Sequence, residues 1–95
     1  RIGGTMFNMS KCALDMFVKC VSLELANKEI KINSINQGTV RDQGDIISKQ
    51  LLSRIPLGRV GYPIDMANCI LYLASDDSIF INGSSLLCDG GQLYN

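Results

Sequence analysis

From Thr5 to Lys28 the chain runs without glycine or proline, and leucine, methionine, alanine, lysine and glutamate dominate. That composition over more than twenty positions predicts one long helix. On a helical wheel Asn8, Lys11, Asp15, Lys19 and Ser22 form a narrow polar stripe, and nearly every other position up to Val21 is apolar. A helix so patterned expects burial on more than one side. Thr5 is placed to cap its start, although Asn8 does not complete a capping box.

Ile30 to Asn36 is short and rich in isoleucine, which predicts a strand broken by Gln37-Gly38-Thr39. Asp45 is expected to cap a second helix running to about Arg54, with Ile47, Leu51, Leu52 and Ile55 on one face and Pro56 as its stop. After the loop marked by Gly58 and Gly61, Pro63 suits a first helical position and Asp65 suits the positive end of the dipole. Met66, Ala67, Ile70, Leu71 and Ala74 then supply the apolar face of a third helix ending near Ser75. Asn82-Gly83 signals a turn, and Ser85-Leu86-Leu87-Cys88 reads as a second strand before Asp89-Gly90-Gly91. That last run has the acid and glycines of a cation or phosphate site, but a turn after a terminal strand is the expected reading.

Two strands are too few for an independently stable sheet, so neighbouring strands are expected from a longer chain. The economical reading is the C-terminal part of an α/β domain, residues 1–95, with no internal boundary. The opening Arg1-Ile2-Gly3-Gly4-Thr5 shows neither an initiator methionine nor a signal pattern, so the beginning of the protein is expected to be missing.

Composition narrows the partners. Nine basic residues balance nine acidic ones and neither sign forms a run, so neither nucleic acid nor an anionic membrane is an expected partner. No uninterrupted apolar stretch approaches the ~18 residues of a membrane span. Cys12, Cys20, Cys69 and Cys88 contain no Cys-x-x-Cys pair and the chain has no histidine, so no metal site is expected. Reduced, buried thiols acting as small hydrophobes are the expectation, with a disulfide or a reactive thiol as the alternative, and a reducing, cytoplasmic location goes with the first reading.

The candidate chemistry lies in Phe7-Asn8-Met9-Ser10-Lys11. Residues four apart share a helix face, and a Tyr-x-x-x-Lys pair there would set a phenol beside an ammonium that lowers its pKa from ~10. Such a phenol could exchange a proton with a substrate oxygen. Phenylalanine at position 7 has no proton to give. It can fill a crevice or stack against a ligand.

Several spaced stretches resemble the short-chain dehydrogenases/reductases. They are Ser10-Lys11-Cys12-Ala13-Leu14-Asp15 through Leu23-Glu24-Leu25-Ala26, Ile32-Asn33-Ser34-Ile35-Asn36-Gln37-Gly38, Pro56-Leu57-Gly58-Arg59, Leu73-Ala74-Ser75-Asp76, and the tail from Gly83 to Asp89-Gly90-Gly91. The resemblance implies a Rossmann-type, doubly wound parallel sheet of seven strands, of which this chain holds the last two with three helices. It further implies NAD- or NADP-dependent chemistry on small-molecule alcohols or carbonyls, with Phe7 in the place of the catalytic tyrosine. The glycine-rich dinucleotide loop and the catalytic serine would lie upstream of Arg1, so this chain by itself is expected to be inactive.

By the same resemblance Lys11 is the retained catalytic position and contacts the nicotinamide ribose, although a solvated lysine on the polar stripe is the plain alternative. Gln37-Gly38-Thr39-Val40-Arg41-Asp42 resembles the turn that holds the nicotinamide carboxamide, which makes Gly38, Thr39 and Val40 cofactor-binding candidates. Gln37 and Asp42 depart from the family's proline and threonine. A homo-oligomer through the first helix and the C-terminal region is implied, the alternative cover for that helix being another part of the same subunit. Phe7 keeps two rival readings open: a catalytically dead relative retained as a binding or oligomerisation partner, and a non-functional truncated product.

Overall fold

The computed structural model describes residues 3–94. Its elements are α1 (Thr5–Leu25), β1 (Ser34–Gln37), α2 (Lys49–Ser53), α3 (Pro63–Ala74) and β2 (Ser85–Cys88), with short 3-10 turns at Ala26–Lys28, Asp76–Ser78 and Gln92–Tyr94. β1 and β2 pair in parallel, so three helices and a two-stranded sheet make a partial Rossmann-type α/β fold. By compactness the chain divides into two units. One gathers the chain up to Ser34 with Ile79–Ser85, the other Ile35–Ser78 with Leu86 onward.

In the first unit α1 has the predicted length but not the predicted cap. Gly4 is the capping residue and makes no side-chain bond, while Thr5 is already helical. The polar stripe also faces inward at two points. Ser22 is buried, and Asp15 Oδ1 accepts a hydrogen bond from Ser85 Oγ at 3.1 Å. Ser85 Oγ in turn accepts one from Ser34 Oγ at 3.0 Å. A carboxylate supplied with donors sits comfortably beside a sheet, which amphipathic counting does not anticipate. Val18 is buried, whereas Met6, Phe7, Met9, Met16, Phe17 and Leu23 are all exposed, so within this chain α1 is not covered on more than one side.

The first strand is shorter than its isoleucines suggest, beginning at Ser34 rather than Ile30. Two asparagine side chains replace the ladder before it. Ile32 N donates to Asn82 Oδ1 (3.2 Å), Asn33 Nδ2 donates to the Ile81 carbonyl (3.1 Å) and Ser84 N donates to Asn33 Oδ1 (3.0 Å). Backbone groups satisfied by amides need no strand partner. Gly83 closes this turn with φ +75°, and a Cβ there would lie 2.5 Å from Ser22 Oγ, so both conformation and space call for glycine.

In the second unit α2 is a single short turn of helix capped by Ser48, whose Oγ accepts from Leu51 N at 3.2 Å. Asp45 is not the cap. Its carboxylate accepts from Asp42 N at 3.2 Å and closes a turn over residues 42–45. Competition from this local Asx-type bond keeps residues 45–48 out of the helix. Ile55 and Val60 are buried on either side of the Pro56–Gly58 bend.

α3 matches its prediction, with Pro63 at its first position and Ser75 as its C-cap. Ser78, fully buried, donates to the carbonyls of Leu73 (2.9 Å) and Ser75 (3.1 Å), so its burial leaves no stranded hydroxyl. None of the four cysteines is fully buried: Cys12 and Cys20 are exposed on α1, and Cys69 and Cys88 are half-buried. The expectation of buried thiols is corrected accordingly, because α1 turns both of its sulfurs away from Val18 and Ser22.

Candidate functional site

The turn after β1 is shaped by the segment that follows β2. Gly38 N donates to the Cys88 carbonyl at 3.1 Å, extending the sheet by one bond. A Cβ on Gly38 would lie 2.6 Å from Asp89 Cβ and 2.9 Å from Asp89 Cα, so the two backbones approach as closely as only glycine permits. Asp89 is itself held: its Oδ1 accepts from Gly91 N at 2.9 Å and its Oδ2 from Leu93 N at 2.8 Å. It thus caps the last 3-10 turn, which favours the turn reading of Asp89-Gly90-Gly91 over a cation or phosphate site. Among the described residues no cluster of metal-ligating side chains occurs.

Gln92 was not legible as a site residue, yet it clamps Thr39 twice. Its Oε1 accepts from Thr39 N at 2.9 Å and its Nε2 donates to Thr39 Oγ1 at 3.0 Å. The Thr39 carbonyl accepts from Gly61 N at 2.9 Å, so every polar group of Thr39 is engaged inside this unit. Val40 differs. It bridges Gly61 in parallel, and the bonds to Gly61 come from the residues on either side of it, Thr39 and Arg41. In a parallel pairing of that kind the central residue's own N–H and C=O point away from the partner. The Val40 carbonyl accepts from the Arg41 guanidinium at 2.9 Å.

A cavity of about 130 Å³ lies beside this turn, with Thr39, Gly61, Met66, Cys88 and Asp89 among its walls. Arg59 and Asp65 close one side through a bidentate pair at 2.8 and 3.1 Å. Asp65 also accepts from Tyr62 N at 2.8 Å, anchoring the start of α3. The Arg59 guanidinium, with the Tyr62 amide second, lowers the Asp65 carboxyl from its ordinary 3.8 to about 2. A depressed carboxyl stabilises the fold above its ordinary pKa, and that contribution disappears as pH falls from about 4 toward 2. Asp65→Asn is therefore expected to melt lower than the unmodified protein at neutral pH, with the difference vanishing near pH 2. Melting curves across that range check it, and a constant difference would rule the linkage out.

On α1, Lys11 Nζ stands 5.5 Å from the centroid of the Phe7 ring, so the two side chains share a face as their spacing requires. The ring is about half exposed, at 52%. Lys11 and Phe7 belong to the first unit, and Gly38, Thr39 and Val40 to the second.

A family model described as "Enoyl-(Acyl carrier protein) reductase" matches residues 3–92. D-erythrulose reductase of Gallus gallus is 41% identical over 93 residues, an alignment covering 90% of this chain and 38% of that protein. A solved variant of a Serratia marcescens short-chain dehydrogenase/reductase superposes with a TM-score of 0.85 at 30% identity, over 95% of this chain and 38% of that one. The chain belongs to the short-chain dehydrogenase/reductase family. A 4-hydroxyisoleucine dehydrogenase complexed with NADH and succinate superposes with a TM-score of 0.83 at 34% identity, over 92% of this chain and 37% of that one. This short-chain dehydrogenase/reductase chain thus spans well under half the length of the relatives it matches.

For a nicotinamide dinucleotide the residues present fit in part. Val40 directs its N–H away from Gly61, which suits the oxygen of a carboxamide, whereas its carbonyl already accepts from Arg41 and Thr39 has its polar atoms occupied by Gln92 and Gly61. No helix among the described residues is long and apolar enough to cross a membrane.

Proposed function

We propose that these residues are the C-terminal portion of a single NAD(P)-binding Rossmann-type domain in an oxidoreductase acting on small alcohol or carbonyl compounds. The observation that carries the reading is the Gly38–Val40 turn, locked against Asp89 and Gln92 with the Val40 peptide edge directed away from Gly61. A bound NADH or NADPH supplies the hydride. Val40 would orient its carboxamide through the main-chain N–H, and Gly38 allows the backbone to pass close to Asp89. Thr39 supports the turn through Gln92. Lys11 would donate to the ribose hydroxyls, a charge-assisted contact.

Phe7 favours a second reading. Without a phenol beside Lys11 the general-acid step is missing, and a family member retained for binding or oligomerisation without turnover fits that residue. On either reading this chain alone is inactive. The homo-oligomer proposed for the complete protein uses the exposed apolar side of α1 and the C-terminal region.

The protein expressed from its complete reading frame, titrated with NADH and NADPH by fluorescence, tests the proposal. Binding of one of them is expected, and Lys11→Met is expected to weaken it by about tenfold or more, as loss of a hydrogen bond from a charged group does. Absence of binding to both nucleotides in a folded protein overturns the cofactor role.

A further inference from the structure

Beside the Gly38 turn, and unused by the proposed reaction, two thiols face each other across the second unit. Cys69 projects from the middle of α3 and Cys88 ends β2, and the Cys69 thiol donates to Cys88 Sγ at 3.0 Å. Both are half-buried free thiols, so a small co-reactant has access without the helix having to leave the sheet. Cys12 and Cys20 on α1 belong to the other unit. The sulfurs already sit inside ordinary van der Waals separation, and closure to the ~2.05 Å of a covalent bond requires a movement of about 1 Å.

We propose that Cys69 and Cys88 are a modification site that forms a reversible intrachain disulfide, with a small-molecule disulfide of the glutathione class as oxidant. The Cys69 thiolate attacks one sulfur of that disulfide, and the departing thiolate takes up a proton. The resulting mixed disulfide on Cys69 is then attacked by the Cys88 sulfur, which gives up its own proton and expels the second small thiol. Two protein thiols are oxidised, one external disulfide is reduced to two thiols, and the two protons leave with them.

The order of the two sulfurs follows from their environment. The contact with Cys69, followed by burial, pushes the Cys88 thiol up to about 11, so Cys88 gives up its proton reluctantly and is assigned the second step. Its raised value slows the resolving step but does not prevent it, because the mixed disulfide is held within reach.

The sequence provides a clean readout. No lysine or arginine follows Arg59 through Asn95, so trypsin releases Cys69 and Cys88 together in a peptide beginning at Val60, free of Cys12 and Cys20. The protein from the complete reading frame is equilibrated with mixtures of reduced and oxidised glutathione, quenched in acid, unfolded, alkylated and digested without reductant. The expected product is the Val60 peptide lighter by two hydrogens, unalkylated, and restored to two alkylated sulfurs by prior reduction. Further cleavage after Tyr72 and Phe80 should leave two pieces joined until reductant is added.

Cys69→Ser and Cys88→Ser test the pair separately, each expected to carry glutathione on its remaining thiol. The proposal is overturned when the Val60 peptide collects two glutathiones, or stays fully alkylatable, in mixtures that load glutathione onto Cys12 and Cys20. Neither result depends on nucleotide binding, so this inference stands or falls apart from the proposed function.

Discussion

Phe7→Tyr, in the protein expressed from its complete reading frame, is expected to raise the NAD(P)H-dependent reduction of a carbonyl compound by about 10² to 10⁴-fold, the usual worth of general acid catalysis. The helix supplies the geometry: Lys11 Nζ is 5.5 Å from the Phe7 centroid, so a phenol grafted onto that ring enters the field of an ammonium already in place. An adjacent positive charge stabilises phenolate, which moves the phenol's ionisation toward working pH and makes it a competent donor. Half exposure of the ring leaves room for the added oxygen. The measurement is the rate of NADH and NADPH oxidation over a panel of small aldehydes and ketones, before and after substitution. Ordinary enzyme rates in the unmodified protein would show that position 7 does not disable it, and an unchanged rate in Phe7→Tyr would favour the binding or oligomerisation reading.

Gly38→Ala is expected to destabilise the fold by about 1–3 kcal/mol, the usual cost of forcing an extra carbon into a filled space. The added Cβ would stand 2.6 Å from Asp89 Cβ, 2.8 Å from Gln92 Oε1 and 2.9 Å from Asp89 Cα, and the last of these is backbone that cannot swing aside. Relief must come from separating the turn after β1 from the segment after β2. That separation breaks the paired bonds between Gln92 and Thr39, so nucleotide affinity is expected to fall along with stability. Denaturant melts and nucleotide titrations on the same preparations read both effects. A variant that melts with the unmodified protein would mean that the close approach is not maintained in solution.

Where a single force dominates, residue order was enough to read the fold. α1 and α3 follow from long runs of helix formers and from Pro63, and β2 from four residues between turn signals, and all three occupy the predicted positions within three residues, α1 passing into a 3-10 turn at Ala26–Lys28. The misplaced features are those in which short polar side chains compete. Asp45 bonds to Asp42 N and Ser48 takes the cap. Asn33 and Asn82 exchange amide bonds where a longer strand was expected. The asparagine bonds reach partners some fifty positions away in sequence, which a local window does not contain. Asp45 and Ser48, by contrast, are local rivals for one helix start, both with the composition of a cap.

The candidate site divides in the same manner. That Lys11 and Phe7 share a face was legible from their helical spacing, whereas the Gly38–Val40 turn was singled out by resemblance to the family. Gln92 was hidden, since a glutamine near a terminus carries no spacing signal until Thr39 is brought to it. The Arg59–Asp65 pair offered a clue in its opposite charges flanking the Pro63 start of a helix.

The chain of hydroxyls from Ser34 through Ser85 to Asp15 acts as a depth stop for α1. Asp15 lies one turn beyond Lys11 on the same side, and each residue of axial slip moves the helix ~1.5 Å. Two serines on neighbouring strands therefore calibrate the height at which an ammonium four residues away is presented, and their loss would shift that charge without altering a single atom of it.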